Sequence, residues 1–134
     1  MSPQDFIRTL YLGDRACKGI LIDGWNGVAK LQVDRISRVR SDSGNWDFYT
    51  DEDVVDGFLV FEGVETLELS NSGHLPNDSI NSVEVVQQHA EHVAIEISID
   101  SVKPDATRHE TILRITCKAL HIEDPARAGV RICT

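Results

Sequence analysis

The feature that most constrains the fold is a strict two-residue alternation of apolar and polar side chains. It is clearest at 93–99, where valine and isoleucine alternate with alanine, glutamate and serine, and it recurs at 29–33 and 113–117. Successive side chains of a strand point to opposite faces, so each segment predicts a strand with one buried and one solvated face. One solvated face is typical of antiparallel sheets. The chain is therefore expected to be mainly β.

Turn residues divide these segments into about six to eight strands. Asn26-Gly27 is a strong hairpin signal between two alternating runs. Gly63 predicts a bulge or turn within a strand pair at 58–61 and 65–69, and the alternation slips near Ala119, which predicts a second bulge. The expected architecture is an antiparallel sandwich or a strongly bent sheet.

One short helix is expected at the N-terminus. Ser2 is a suitable cap, Pro3 suits the first helical position, and Asp5 complements the helix dipole. An apolar stripe at helical spacing follows and ends at Gly13, namely Phe6, Ile7, Leu10 and Tyr11.

A second segment leaves the fold class open. Residues 84–93 contain Gln87-Gln88-His89-Ala90-Glu91, which favours helix by propensity. A helix there would make the protein α+β, whereas a hairpin would keep it mainly β.

The length of 134 residues is typical of a single domain, 1–134, with one core. Within it, residues 13–69 and 77–122 resemble each other in outline. Val64 matches Cys117, Leu67 matches Leu120 and Leu69 matches Ile122 without a gap. We interpret this as an internal repeat, although alternation alone makes any two strands look alike.

The charge balance restricts the class of partner. There are 22 acidic and 13 basic residues, a net charge of −9. Because nucleic-acid affinity depends on basic groups that neutralise phosphates, a nucleic-acid partner is not expected. A basic protein fits this charge better, and solubility alone is the alternative explanation.

The three cysteines, Cys17, Cys117 and Cys133, are odd in number and have no metal or redox spacing. The first two lie in strand-like runs, so we expect them to be buried structural thiols. The first twelve residues lack the apolar core of a signal peptide, and no apolar run approaches the roughly 18 residues of a membrane span. A cytoplasmic protein without a membrane association is expected.

No catalytic, metal or cofactor site is predicted. His89 and His92 offer two imidazoles three residues apart, but a zinc site needs further ligands that no pattern marks. The alternative is a small enzyme or a ligand-binding barrel whose cysteine or histidine lies in a pocket formed only by folding. A cysteine, a histidine and an acid together in a deep cleft would identify it.

The segment 42–56 is the best candidate for a binding site. It contains six acids, no base and three of the protein's eight aromatic residues. Aromatic residues among acids suit a contact surface for a basic partner, or the aromatics anchor the loop to the core. The predicted partner-binding residues are Trp46, Phe48, Tyr49, Asp51, Glu52 and Asp53.

The order of these features resembles several small, largely uncharacterised bacterial domain families. The resemblance consists of Gly13-Asp14 before an alternating strand, a hairpin return, and the later unit Phe61-Glu62-Gly63-Val64. Some of those families are grouped with immunity proteins of bacterial toxin systems. The resemblance implies an immunity-like, protein-binding role and no functional residues.

Overall fold

A computed structural model describes residues 1–39 and 52–134. The helix α1 spans Pro3–Arg8. The strands within the described residues are β1 (Leu10–Tyr11), β2 (Cys17–Asp23), β3 (Val28–Val33), β4 (Arg35–Arg38), β5 (Val54–Val55), β6 (Phe58–Glu62), β7 (Thr66–Asn71), β8 (Ile80–Gln88), β9 (Val93–Val102), β10 (Arg108–Cys117), β11 (Ala119–Glu123) and β12 (Arg131–Ile132).

These strands form antiparallel sheets, as the alternation predicts. The larger sheet has the order β12-β11-β6-β3-β2, and the smaller sheet has the order β7-β10-β9-β8. A third set, β1-β4-β5, is short. The inward faces of the two main sheets, together with Phe6 of α1, form one buried cluster. The mainly β prediction is confirmed.

The alternation also places the core correctly. Ala29, Leu31 and Val33 of β3 are at most 1% exposed, and the inward isoleucines of β9 are fully buried. Because every second residue of these strands is apolar, only one face of each can join the core.

The strands around Gly63 and Ala119 are predicted correctly, but their pairing is not. β6 and β7 do not pair with each other: β6 lies between β3 and β11, and β7 pairs with β10. The chain therefore passes between the two sheets near Gly63, and again at Lys118 between β10 and β11. The two crossings are tied together, since Lys118 donates its N–H to the Glu62 carbonyl and Glu65 donates to Thr116, at 2.9 and 2.8 Å.

Two further boundaries differ from the sequence interpretation. The helix ends at Arg8, and Leu10–Tyr11 is a strand because it pairs with β4. The predicted cap is present, since Ser2 Oγ accepts the Asp5 N–H at 3.2 Å. The helix alternative for 84–93 is wrong: β8 and β9 form a hairpin around His89–His92, where pairing with a neighbour outweighs local helix propensity.

The strands of the two halves of the chain follow the same pairing order. β2, β3 and β6 follow one another from an edge of the larger sheet, and β8, β9 and β10 do so in the smaller sheet. β11, from the second half, then lies beside β6, the third of the strands from the first half. In the same way β7, from the first half, lies beside β10 from the second half. Both edge strands have a register shift near their start, and Ala16 and Ser79, just before them, form a bridge. The internal repeat stays a prediction, and this matched pairing is what a repeat requires.

Candidate functional site

The sequence-predicted site is only partly within the described residues. Glu52 and Asp53 are exposed. Trp46, Phe48, Tyr49 and Asp51 lie outside the described residues.

The end of the acidic segment joins the larger sheet. Val54 is buried and pairs with β4. Asp56 then accepts from Lys18 Nζ at 2.8 Å, and its carbonyl accepts from Gln32 Nε2 at 3.1 Å. Because Lys18 and Gln32 belong to β2 and β3, the segment meets the larger sheet at these two strands.

The outer face of that sheet contains a cleft of about 570 Å³. Its centre is a row of residues paired directly across four strands, which we call the outer row: Leu21, Lys30, Val60 and His121. Val60 is 2% exposed and His121 is 6% exposed, although both lie on the face away from the core. Their neighbours therefore cover them and shape the cleft.

The polar side chains of the cleft are paired with one another. Glu62 Oε1 lies 2.6 Å from His121 Nδ1 and also contacts the Arg131 guanidinium. Glu123 accepts from Lys30 Nζ at 2.9 Å. Both pairs are partly shielded from solvent, so they hold the walls of the cleft in place more firmly than exposed ion pairs do.

The imidazole of His121 is held neutral near physiological pH. Burial lowers its pKa, Arg131 lowers it further, and the Glu62 carboxylate opposes both effects without overcoming them. With its proton on Nδ1, the neutral ring donates to Glu62, because a carboxylate only accepts hydrogen bonds; the Arg131 guanidinium lies farther from this nitrogen, at 3.3 Å. In that tautomer the neutral imidazole can accept a proton at Nε2.

Two exposed apolar side chains, Leu21 and Ile22, line the cleft, and an exposed tryptophan follows them in the turn. Leu21 and Ile22 at the end of β2 are 51% and 63% exposed, and Trp25 in the β2–β3 turn is 96% exposed. Asp23 is held beside them by two hydrogen bonds from Asn26, at 3.1 and 2.8 Å. Those bonds lower the pKa of Asp23, which keeps its carboxylate ionised.

The smaller sheet provides an internal comparison. Glu84 stands in its edge strand, β8, at the position that Leu21 has in β2. The row that runs across the smaller sheet from Glu84 is charged throughout: Glu84, Glu96, Arg114 and Glu68. That is the composition expected of a solvated face. The outer row of the larger sheet replaces most of those charges with leucine, valine and histidine, so its composition is not a general property of this fold.

The other sequence candidates are not assembled into a site. Cys17 and Cys117 are buried and unpaired, as predicted, and neither lines the cleft. Burial raises the pKa of both thiols, that of Cys117 to about 11. His92 contacts Glu65 at 3.0 Å. Among residues 1–39 and 52–134, no group of three or more histidines, cysteines or acids could hold a metal ion.

Sequence reasoning missed the cleft because its walls come from β2, β3, β6 and β11, which are distant along the chain. A local signal was present. Leu59-Val60-Phe61 and Leu120-His121-Ile122 interrupt the alternation with an apolar or aromatic residue at an outward position. Two such interruptions in neighbouring strands indicate that the outer face is partly covered.

In the described part of the chain no helix has the length and apolarity needed to cross a membrane. No curated protein matches the chain, and no solved structure does. The model of a family of unknown function, DUF6258, matches residues 1–134. Because the match covers the whole sequence, the chain belongs to the DUF6258 family.

Proposed function

We propose that the chain is a non-enzymatic protein-binding domain that contacts a basic partner through the outer face of its larger sheet. The observation that carries this proposal is the exposure of Trp25, at 96%, beside the half-exposed Leu21 and Ile22. A cluster of exposed apolar residues next to a cleft is typical of an interaction surface, and tryptophan is enriched at such surfaces.

Charge supports a basic partner. The cleft lining contains three carboxylates, of which Glu62 pairs with Arg131 and Glu123 with Lys30. This leaves the exposed Asp23 without a basic partner among the ion pairs of the described residues. The chain as a whole carries a net charge of −9. Such a field attracts a basic protein and increases its association rate at low salt.

The described end of the acidic segment supports the same proposal. Its end is attached to β2 and β3 through Asp56, and Glu52 and Asp53 are exposed. We therefore keep the six predicted residues in the proposed contact with the partner, with Glu52 and Asp53 the two that lie within the described residues: Trp46, Phe48, Tyr49, Asp51, Glu52 and Asp53.

The finer form of the proposal is an immunity-like role in a bacterial cytoplasm, in which the basic partner is a toxin. The free cysteines suit a reducing compartment. The resemblance to families that include toxin-immunity proteins supports the role. It is tested by expressing the captured partner alone and together with the chain. Growth arrest that the chain relieves supports immunity, and a partner that is harmless alone contradicts it.

Binding is tested by affinity capture from an extract of the cells that encode the chain. The test variant combines Leu21→Ser with Trp25→Ser, which removes apolar surface without changing the charge; Glu84 stands at the β8 position that corresponds to Leu21, so a polar residue suits that position of the strand. The control is Leu75→Ser, which removes a side chain that is 81% exposed elsewhere.

We expect a basic protein to be retained by the wild type and the control and reduced at least about tenfold by the test variant, which is about 1.4 kcal/mol. If no protein distinguishes the test variant from the control, this surface is not the binding site.

A second candidate function is a ligand site or a small enzyme in the cleft. The contact of 2.6 Å between His121 and Glu62 favours it, because a neutral imidazole oriented by a carboxylate is a potential general base. No cysteine lies beside this pair in the cleft lining. Thermal shift with spermidine, agmatine and arginine tests the ligand form. A rise in Tm that His121→Gln abolishes would favour this candidate, whereas no rise with any of the three contradicts a small cationic ligand.

A further inference from the structure

The edge of β2 carries a second feature, which concerns the backbone. β2 is the last strand of the larger sheet, and in the described residues nothing pairs along its outer side beyond Cys17. At Cys17 the N–H is donated to the Asp78 carbonyl at 2.9 Å, where the two main sheets are bridged. From there to the β2–β3 turn, residues 1–39 and 52–134 leave the edge open.

The direction of the backbone groups on that edge follows from β3. Asp34 donates its N–H to Ala16, on the β2 side, whereas Val33 donates to Gly57, on the β6 side. Backbone groups alternate sides along an antiparallel strand. Every second residue of β3 counted back from Asp34 therefore bonds to β2.

Those β3 residues are Gln32, Lys30 and Val28, and their partners are Gly19, Leu21 and Asp23. The N–H and C=O groups of Ile20 and Ile22 consequently point away from the sheet. An open edge of this kind is a template for another strand, which proteins usually block with charge, proline or bulges. In β2 the register shift lies before Gly19, and the charged Lys18 is paired with Asp56. Neither the shift nor this charge therefore prevents another strand from pairing with Ile20 or Ile22.

We propose that an extended basic segment of the partner adds to β2 as a further strand and directs its lysine or arginine side chains into the cleft. This inference rests on the proposed function and specifies how the partner binds. Strand addition is a common mode of recognition in which backbone hydrogen bonds supply affinity and alternate side chains supply specificity.

The side-chain pattern of the partner follows from the pairing. A residue that bonds to Ile20 or Ile22 projects on the same side as those isoleucines, beside Ile20, which packs against the core cluster. The intervening residue lies opposite Leu21, on the cleft side, near Asp23. The expected segment therefore alternates apolar and basic residues.

Charge distinguishes this occupant from a second copy of the chain. Of the three carboxylates that line the cleft, Glu62 and Glu123 already pair with Arg131 and Lys30, and a second copy would bring its own net charge of −9 to the same edge. Like charges placed across an interface are unfavourable. A basic strand instead adds positive charge beside Asp23, which faces solvent and is ionised.

The test uses a capped peptide, Thr-Val-Lys-Val-Lys-Val-Thr, and the full-length, ¹⁵N-labelled chain. Two control peptides separate the causes: one has the same composition with lysines and valines grouped, and the other has glutamate in place of lysine. Amide exchange of Ile20 and Ile22 is measured with and without the peptide. We expect these amides to exchange rapidly in the free chain and to become at least about tenfold slower with the alternating peptide, and not with the controls.

Two matched variants test the backbone directly. Ile22→Pro removes an N–H that points away from the sheet and leaves the hydrogen bonds to β3 in place; edge strands tolerate proline at such positions. Ile22→Thr changes the side chain and keeps the N–H. We expect Ile22→Pro to weaken peptide binding at least about tenfold and Ile22→Thr to weaken it less than about threefold. Val85→Pro, at the corresponding outward position of β8, should have no effect on binding.

Three results would overturn the proposal. The first is equal peptide binding by Ile22→Pro and the wild type. The second is a set of peptide-induced chemical-shift changes spread over the acidic residues of the surface, without slower amide exchange of Ile20 and Ile22. The third is slow exchange of these two amides already in the free chain. If partner capture still depends on Leu21 and Trp25, the proposed function stands and only the mode of binding is wrong. If capture does not depend on them, the proposed function is wrong as well.

Discussion

Gly63 offers the sharpest test of how the chain passes between the two sheets, and the substitution is Gly63→Ala. The residue has a φ of +60°, a left-handed conformation that is strained by about 1–2 kcal/mol for an L side chain. An added Cβ would also lie 2.9–3.0 Å from Cβ, Cγ and Cδ of Lys118. Because the Lys118 backbone is hydrogen-bonded to Glu62, only part of that side chain can move away.

The two effects together predict a loss of about 2–3 kcal/mol in the free energy of unfolding, with about 1 kcal/mol due to crowding. For a domain of this size the loss lowers Tm by roughly 8–12 °C. Gly73→Ala is a matched control, since Gly73 has a φ of +73° and nothing within 4 Å of the added Cβ. It should lose about 1–2 kcal/mol, from backbone strain alone.

Gly24→Ala is the second control, because Gly24 has neither a positive φ nor a close neighbour. It should be neutral within about 0.5 kcal/mol. All three variants lose the same glycine flexibility in the unfolded state, so that contribution cancels in their comparison. Urea denaturation of the three variants gives the values. If Gly63→Ala is no less stable than Gly73→Ala, the close approach of Gly63 and Lys118 at the crossing is wrong.

Three further predictions follow from the site and the core. Because the pKa of His121 is lowered in the folded chain, the unfolded chain binds a proton at this imidazole at higher pH, so the free energy of unfolding should fall as pH drops below about 6.5. In thermal melts, His121→Gln should flatten that fall between pH 7.5 and about 5.5. A dependence of Tm on pH equal to that of the wild type would contradict the pKa shift. A thiol reagent at neutral pH should label Cys133 rapidly and should reach Cys17 and Cys117 only on unfolding; rapid native labelling of either would contradict their burial. Serine at all three positions 51–53 should leave Tm nearly unchanged and weaken partner capture most at low salt, and capture that is equal to the wild type at 20 mM salt would exclude these acids from the surface.

The sequence predicts the strands and the core well because each inward position repeats a local signal. It does not predict which strands are neighbours. β6 and β7 have the same alternation whether they form a hairpin or lie in different sheets, so nothing local marks the crossing at Gly63. Leu10 and Tyr11 fit a helical stripe and an extended edge equally well, and pairing with β4 decides between them.

The cleft is less predictable than the core for a related reason. The contact of His121 with Glu62 joins residues far apart in sequence, and it exists only because β11 crosses to the larger sheet and pairs with β6. An acid-rich segment is visible in the sequence as composition, whereas a cleft built across four strands is visible only once their order is known.

The comparison between the two sheets bears most directly on the proposed binding surface. Corresponding rows on their outer faces have the same pairing, so the backbone accepts charged residues equally at both. In the smaller sheet that row is Glu84, Glu96, Arg114 and Glu68. At the position that corresponds to Glu84, the larger sheet has Leu21, which is half exposed and adds little to the core. The proposed contact with another molecule would account for a half-exposed leucine at a position where the smaller sheet has a glutamate. In our proposal that molecule is an extended segment with basic side chains, which would pair with the backbone edge beside Leu21 and place a positive charge near Asp23.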